Sequence, residues 1–281
     1  MINFSRYLFT LLVLLFSVSS LAQITLQTQN VESVLYVGKG KSQPLIVGLG
    51  GAEGGNAWNS DYWKKTRDHF IETGYAFLAI GYFGAADTPD ALDKIAIDDI
   101  YDAIQTATKN VYVDKNKIAI IGGSRGADLG LLIGSYYHDI KCVVSIVGSN
   151  VVFPGHTDHF STSCWTYQDK ELPFVPINDE AVHFLMKQDL RSTFSTMLKD
   201  SLSVEKASIK VEQINGAVLF ISASKDEICP STHMADMMVE RLKKNKYKFP
   251  YEHRVIEGDH AEPLKHFYLV FNFLETNFAA K

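Results

Sequence analysis

Cysteine is scarce in this chain: Cys142, Cys164 and Cys229 are the only three among 281 residues. An odd number with no close pair excludes a cross-linked miniature framework, and it offers no metal-ligand spacing. Cys142 opens a strand-like run and reads as a buried small hydrophobe. A Cys164–Cys229 bridge stays open at this level, because sequence does not reveal the Cα separation a disulfide needs. A basic excess is lacking too: 27 Lys and Arg stand against 32 Asp and Glu, a net charge of −5. No basic stripe is available to neutralise phosphates, which argues against nucleic acid as a partner. The one lysine cluster, Lys243, Lys244, Lys246 and Lys248, reads as a solvated helix end. Internal repeats and low-complexity tracts are missing. So is any apolar run beyond the N-terminus long enough to span a membrane.

What remains is a globular composition, 46% hydrophobic and 21% charged, long enough to bury a sizeable core in one domain. Residues 1–22 carry Arg6, an apolar run from Tyr7 to Val18, and Ser20-Leu21-Ala22 before a cut ahead of Gln23. That is the order of a signal peptide, so the mature chain is expected to be exported, periplasmic or secreted, with no stable membrane insertion after cleavage. Residues 23–43 form a short N-terminal segment, in which Ser33 to Val37 is expected as an edge strand. The main domain is expected over 44–281.

Short apolar runs alternate with helical spacing along that domain. Strands are expected at Pro44–Leu49, Tyr75–Tyr82, Lys117–Ile121, Cys142–Val147, Ala217–Ser222 and Tyr251–Ile256. Helices are expected at Trp58–Glu72, Ala91–Thr108 with Asp90 as N-cap, Ala127–Tyr137, Thr232–Lys243 and Glu262–Phe278. Continuous apolar strands between helices predict an α/β fold with a mostly parallel central sheet and helices on both faces. Ser149 to Gly216 interrupts the rhythm. Its first part is loop- and hairpin-like and Asp179 to Leu198 is helical. An insertion there, before the strand that ends at Ser222, can serve as a lid or pocket wall.

The chemistry rests on three positions. Gly122-Gly123-Ser124-Arg125-Gly126 fits G-x-S-x-G, and it falls where a strand ends and a helix begins. Glycines allow a sharp strand-to-helix turn that exposes the Ser124 hydroxyl above the sheet. A free serine needs a base. His260 follows the strand ending at Ile256, at the same sheet end as Ser124. Asp226, just past the strand ending at Ser222, is the acid; Glu227 and Asp259 are its rivals. Negative charge developing on a substrate carbonyl needs two donors. The Arg125 amide is one, and Gly51 (alternatively Ala52) in Gly50-Gly51-Ala52-Glu53-Gly54-Gly55 is the other. A phosphate-cradling reading of that glycine run fails, since no G-K-[ST] follows. Trp165, Tyr167 and Phe174 are candidates for lining an apolar substrate pocket. His156, Asp158 and His159 could in principle hold a metal, but their spacing has no partner, and no metal or cofactor is called for. Asp128, one helical turn beyond Ser124, is placed for a local polar contact.

The string Gly122-Gly123-Ser124-Arg125-Gly126-Ala127-Asp128-Leu129 resembles the nucleophile elbow of the C-terminal domain shared by acyl-CoA thioester hydrolases and bile acid-CoA:amino acid N-acyltransferase. Leu49 to Gly55, Ala79 to Phe83, Val144 to Ser149, Lys225-Asp226-Glu227 and Gly258-Asp259-His260 are similar to that family as well, from about Pro44 to the C-terminus. The resemblance implies an α/β-hydrolase fold related to dienelactone hydrolases. It implies Ser124, Asp226 and His260 as nucleophile, acid and base, and a small acyl ester or thioester as substrate. It departs in carrying Arg125 and Asp128 where the family tends to Lys and Glu, with charge type kept. Acyl transfer to an amine, peptide hydrolysis and a non-catalytic binding module are the alternatives.

Overall fold

The structure, a computed structural model, describes residues 22–278. The expected signal segment lies outside them except for Ala22, which opens the first strand. In chain order the strands are β1 (Ala22–Leu26), β2 (Glu32–Val37), β3 (Gln43–Leu49), β4 (Ala76–Gly81), β5 (Ile95–Ala96), β6 (Val113–Gly123), β7 (Ile140–Ile146), β8 (Trp165–Tyr167), β9 (Lys170–Glu171), β10 (Ala217–Ala223) and β11 (Tyr251–Ile256). The helices are α1 (Asp61–Glu72), α2 (Ile97–Thr108), α3 (Arg125–Tyr136), α4 (Asp179–Leu185), α5 (Leu190–Met197), α6 (Ser201–Ala207), α7 (Ser231–Lys244) and α8 (Phe267–Asn277).

Eight strands form one sheet in the order β1-β2-β4-β3-β6-β7-β10-β11, and β5, β8 and β9 form a small second sheet. The pairs β1–β2 and β2–β4 are antiparallel; from β4 through β3 to β11 every pairing is parallel. Ser33–Val37 is therefore a strand, as expected, but not an edge, because β1 covers it.

The central strands are buried on both faces, so their side chains split by alternation. Leu45, Val47, Leu78, Ile80, Ile118, Ile120 and Val218 pack with α2, α3 and α7 on one side. Ile46, Phe77, Ala119, Ile121, Val144 and Leu219 pack with Phe70, Phe267, Val270 and Leu274 of α1 and α8 on the other. This two-sided burial explains the unbroken apolar runs of the sequence, each fully buried aliphatic side chain contributing about 1.5–3 kcal/mol. A third, smaller core holds the Ser149–Gly216 insertion, with Val151, Phe153, Val175, Met197 and Val204 meeting Met234 of α7.

Two expected elements are corrected. The helix expected from Ala91 starts only at Ile97, with Ala96 rather than Asp90 as its N-cap. Residues 95–96 instead pair with β8, so tertiary pairing overrides the local cap signal. The helical stretch expected over Asp179–Leu198 is two helices, because Asp189 breaks it and caps α5 by accepting from the Ser192 amide.

The register aligns the strand ends that matter. Leu49 pairs with Gly122, Gly123 with Ile146, Ile146 with Ile221, and Ala223 with Ile256. The loops after β3, β6, β7, β10 and β11 thus leave the sheet at one level, at its carboxyl end, where ligands of open α/β sheets bind.

Candidate active site

Ser124 sits between β6 and α3 with φ 52° and ψ −122°, a left-handed backbone that a non-glycine residue adopts at a cost of about 1–3 kcal/mol. The surroundings hold it there. Its amide donates to Ile146 O (2.8 Å), and its carbonyl accepts from the Ala127 amide (2.9 Å). A Cβ at Gly122 would lie 2.0 Å from Gly126 O, and one at Gly126 would lie 2.2 Å from Gly50 O. Both glycines are therefore required by close backbone approach. The turn puts Ser124 at the start of α3, on the lining of two cavities.

His260 follows β11 and Asp226 follows β10. The His260 ring places Nδ1 2.9 Å from Asp226 Oδ1 and 3.0 Å from Oδ2. Asp226 is fully buried, and its Oδ1 also accepts from the Ile228 and Cys229 amides, each at 3.0 Å. Burial alone would raise the pKa of this carboxyl. The hydrogen bonds from the His260 ring and the Cys229 amide outweigh it and hold the group below its ordinary value. An ionised Asp226 facing Nδ1 selects the tautomer with the proton on Nδ1, which leaves Nε2 free as an acceptor. The rival acids are occupied elsewhere. Glu227 accepts the His260 main-chain N–H (2.9 Å), and Asp259 accepts the Ala261 and Glu262 amides. Arg191 of α5 donates to the Asp226 carbonyl, tying the insertion to the loop after β10.

Ser124 and His260 line one cavity of about 290 Å³, together with Gly51, Ala52, Trp58 and Phe267. Ser124 and Ala52 also line a larger one of about 650 Å³. Of the two expected second donors, Gly51 has its N–H given to Glu53 Oε1 (3.1 Å), whereas Ala52 borders both cavities. The geometry therefore favours Ala52 over Gly51 as the donor that pairs with the Arg125 amide. Tyr82 fixes this loop from below, its hydroxyl donating to Gly50 O at 2.7 Å.

The larger cavity is walled by the insertion: Phe153, Phe160, Ile177, Leu185, Leu190, Phe194 and Met197 face it. The aromatics expected there are elsewhere. Trp165 is fully buried in the main core beside Tyr82, Tyr167 packs on Tyr136 and Tyr137, and Phe174 packs against the same core. The sequence does carry a signal for this wall: Leu190, Phe194 and Met197 recur at the spacing of one helical face. Val147, just after β7, also lines both cavities; its φ of 49° is rare for a β-branched residue.

Cys142, Cys164 and Cys229 are all free and buried, so no Cys164–Cys229 bridge forms. Asp226, Cys229 and His260 are the one group of metal-ligating side chains among the described residues whose donor atoms converge, within 4.8 Å. The His260–Asp226 hydrogen bond already accounts for that convergence, and burial followed by the Asp226 charge pushes the Cys229 thiol well above its usual range. His156, Asp158 and His159 form no such group among the described residues.

Parallel strands flanked by helices, with a serine on a strained strand-to-helix turn and a His–Asp pair on the neighbouring loops, define the α/β-hydrolase fold. The chain belongs to the BAAT / acyl-CoA thioester hydrolase C-terminal family, whose model matches residues 99–260. It is similar to mouse (Mus musculus) bile acid-CoA:amino acid N-acyltransferase, 25% identical over 80% of this chain and 50% of that protein. It is similar also to mouse acyl-coenzyme A thioesterase 1, 27% identical over 60% of this chain and 38% of that protein. The chain thus spans about half or less of these curated relatives. Among solved structures, a Pyrococcus furiosus esterase superposes with a TM-score of 0.62 at 17% identity, covering 93% of this chain and 92% of that one. A puromycin-hydrolysing peptidase of Mycobacterium tuberculosis superposes at 0.65 with 14% identity, covering 94% of this chain and 40% of that one. Among the described residues no helix is long and apolar enough to cross a membrane.

Proposed function

We propose that this chain is a serine hydrolase that cleaves small acyl esters or thioesters through an acyl-Ser124 intermediate. The observation that carries the reading is that His260, held through Nδ1 by the buried Asp226, lines the same cavity as the strained Ser124 turn. His260 Nε2 takes the Ser124 proton as Oγ attacks the carbonyl carbon. The Arg125 and Ala52 amides stabilise the resulting oxyanion, and His260 passes its proton to the departing alkoxide or thiolate. Water then enters, His260 removes one of its protons, and the acid is released with Ser124 restored. Asp226 fixes the ring and stabilises the transient imidazolium. No bond links the Ser124 hydroxyl to His260 in this structure; such contacts commonly tighten only when substrate binds.

The test compares a CoA thioester and an aryl oxygen ester of the same acyl chain, subtracting the Ser124→Ala rate from each. Loss of both activities in Ser124→Ala supports the acyl-enzyme. Unchanged rates in that variant overturn it. The names of two relatives, amino acid N-acyltransferases of mouse, favour a second reading in which an amine replaces water as acceptor. Product analysis with competing amino acids separates transfer from hydrolysis. Export of the mature chain, proposed from residues 1–22, predicts the oxygen ester or a non-CoA thioester as the better substrate.

A further inference from the structure

The larger cavity has an apolar wall and one cation. Arg125, the residue after Ser124, lines it and is only 8% exposed. Its guanidinium lies over the Phe153 and Phe194 rings, 5.0 and 5.4 Å from their centroids, which fixes the fork in place. Among the described residues the side chain makes one hydrogen bond, from Nη1 to Asp128 Oδ2 at 3.2 Å. Asp128 is itself buried and accepts the Ser149 amide at 2.6 Å. A guanidinium carries five N–H donors, so most of them remain for whatever fills the cavity. An acyl chain of hydrocarbon alone would strip water from those donors and return nothing, a costly exchange. His156, an exposed residue on the cavity lining, adds no second cation at pH 7, because desolvation and the Arg125 charge bring it down to about 4.

We infer that Arg125 is a specificity-determining residue, and that the preferred acyl group is amphiphilic: an apolar stem against Phe153, Phe194 and Met197 with a carboxylate that meets the Arg125 fork. This rests on the acyl-Ser124 reading and names the substrate class for it. A planar, forked guanidinium matches a carboxylate with two parallel hydrogen bonds, which an ammonium does not reproduce. Asp128 accommodates the second anion. Burial, only partly offset by Arg125, raises its carboxyl to about 6, so it can take a proton as the ligand carboxylate approaches. The guanidinium charge then passes to the ligand.

The test uses the full chain and a series of aryl esters of increasing acyl length, each made twice, ending in a methyl group or in a carboxylate. Rates are divided by each ester's alkaline hydrolysis rate, and the Ser124→Ala background is subtracted. The carboxylate version should win by about tenfold or more in kcat/KM at the matching length. The double substitution Arg125→Met with Asp128→Asn, which removes both buried charges together, should erase that ratio. Arg125→Lys, which keeps the charge but loses the fork, should cut it severalfold. A preference for the methyl version at every length overturns the inference, as does an unchanged ratio in the folded double variant. If the double variant does not fold, an unchanged ratio in Arg125→Lys overturns it. Equal rates in wild type and Ser124→Ala would instead sink the acyl-enzyme reading, so the two failures are distinguishable.

Discussion

Three glycines lie within five residues at the Ser124 turn, and the structure assigns them unequal importance. A methyl group at Gly126 would sit 2.2 Å from Gly50 O and 2.7 Å from Leu49 O, and both obstacles are backbone. Relief requires the β3 loop to shift, which strains the hydrogen bond by which the Tyr82 hydroxyl holds Gly50 O. Overpacking of this kind costs about 1–3 kcal/mol, and a broken buried hydrogen bond adds about 1 kcal/mol. Gly126→Ala should therefore lose about 3 kcal/mol or more, two orders of magnitude in the folded-to-unfolded ratio. Gly122→Ala should behave alike, its methyl meeting Gly126 O at 2.0 Å. Gly123→Ala is the internal control. Its nearest neighbour would be the Leu264 Cδ2 atom at 3.7 Å, an ordinary contact. Its stability should stay within about 0.5 kcal/mol of wild type. Urea unfolding followed by circular dichroism measures all three. A Gly126→Ala protein within about 1 kcal/mol of wild type would refute the reasoning, as would Gly123→Ala proving the damaging change.

Other outcomes follow from the same geometry. Asp226→Asn should lower kcat by about 10³–10⁴-fold, by analogy with other triads, while the fold is kept. Glu227→Gln should change kcat little, because Glu227 holds only the His260 main chain. Steady-state rates on one ester decide both. Ala52→Pro removes a single N–H and should cost about 10²–10³-fold in kcat, whereas Glu53→Ala, which frees the Gly51 N–H, should shift it by less than about threefold. A small loss in Ala52→Pro together with a gain in Glu53→Ala would return the second donor to Gly51. Asp128 makes a pH prediction. Its folded pKa of about 6 lies above the ordinary carboxyl value, so between pH 4 and 6 the folded chain keeps a proton that the unfolded chain has lost. Stability from this group therefore falls as pH rises through that window, by roughly 2–3 kcal/mol at most. Thermal melts should show that slope in wild type and a flatter one in Asp128→Asn. Asp226 acts with the opposite sign: its depressed folded pKa contributes stability above the ordinary carboxyl range that is lost on stronger acidification.

What the amino-acid sequence made legible was whatever local chemistry and parallel topology dictate together. The elbow could be read because a backbone turn this sharp admits few residues, and Gly122, Ser124 and Gly126 sit where a strand hands over to a helix. The positions of Asp226 and His260 could be read because parallel strands deliver their following loops to one sheet end. Choosing Asp226 over Glu227 depended on rotamer and burial, and the coordinates supply the reason: Asp226 receives two backbone amides as well as the ring, while Glu227 turns back to the His260 main chain. The choice between Gly51 and Ala52 as second oxyanion donor is open at the level of sequence for a similar cause. Gly51 looked free, but a side chain two residues on, Glu53, folds over and takes its N–H.

The insertion shows where such reading stops. Trp165, Tyr167 and Phe174 are large apolar residues in an irregular stretch, and without a period nothing states which of two available cores they join. They join the main one, and the wall of the large cavity is built by α4, α5 and the loop around Phe153 instead. Those elements do carry a period, but helical spacing over 179–198 does not by itself show that Asp189 caps a new start. With the break at Asp189, Leu190, Phe194 and Met197 line the cavity that Ser124 borders, and Arg191 holds the carbonyl of Asp226. One short helix thus touches the pocket wall, the acid's loop and, through Phe194, the Arg125 fork. A change that loosens α5 should then disturb substrate preference and the His260–Asp226 pair together, whereas a change confined to Trp165 should act on stability alone.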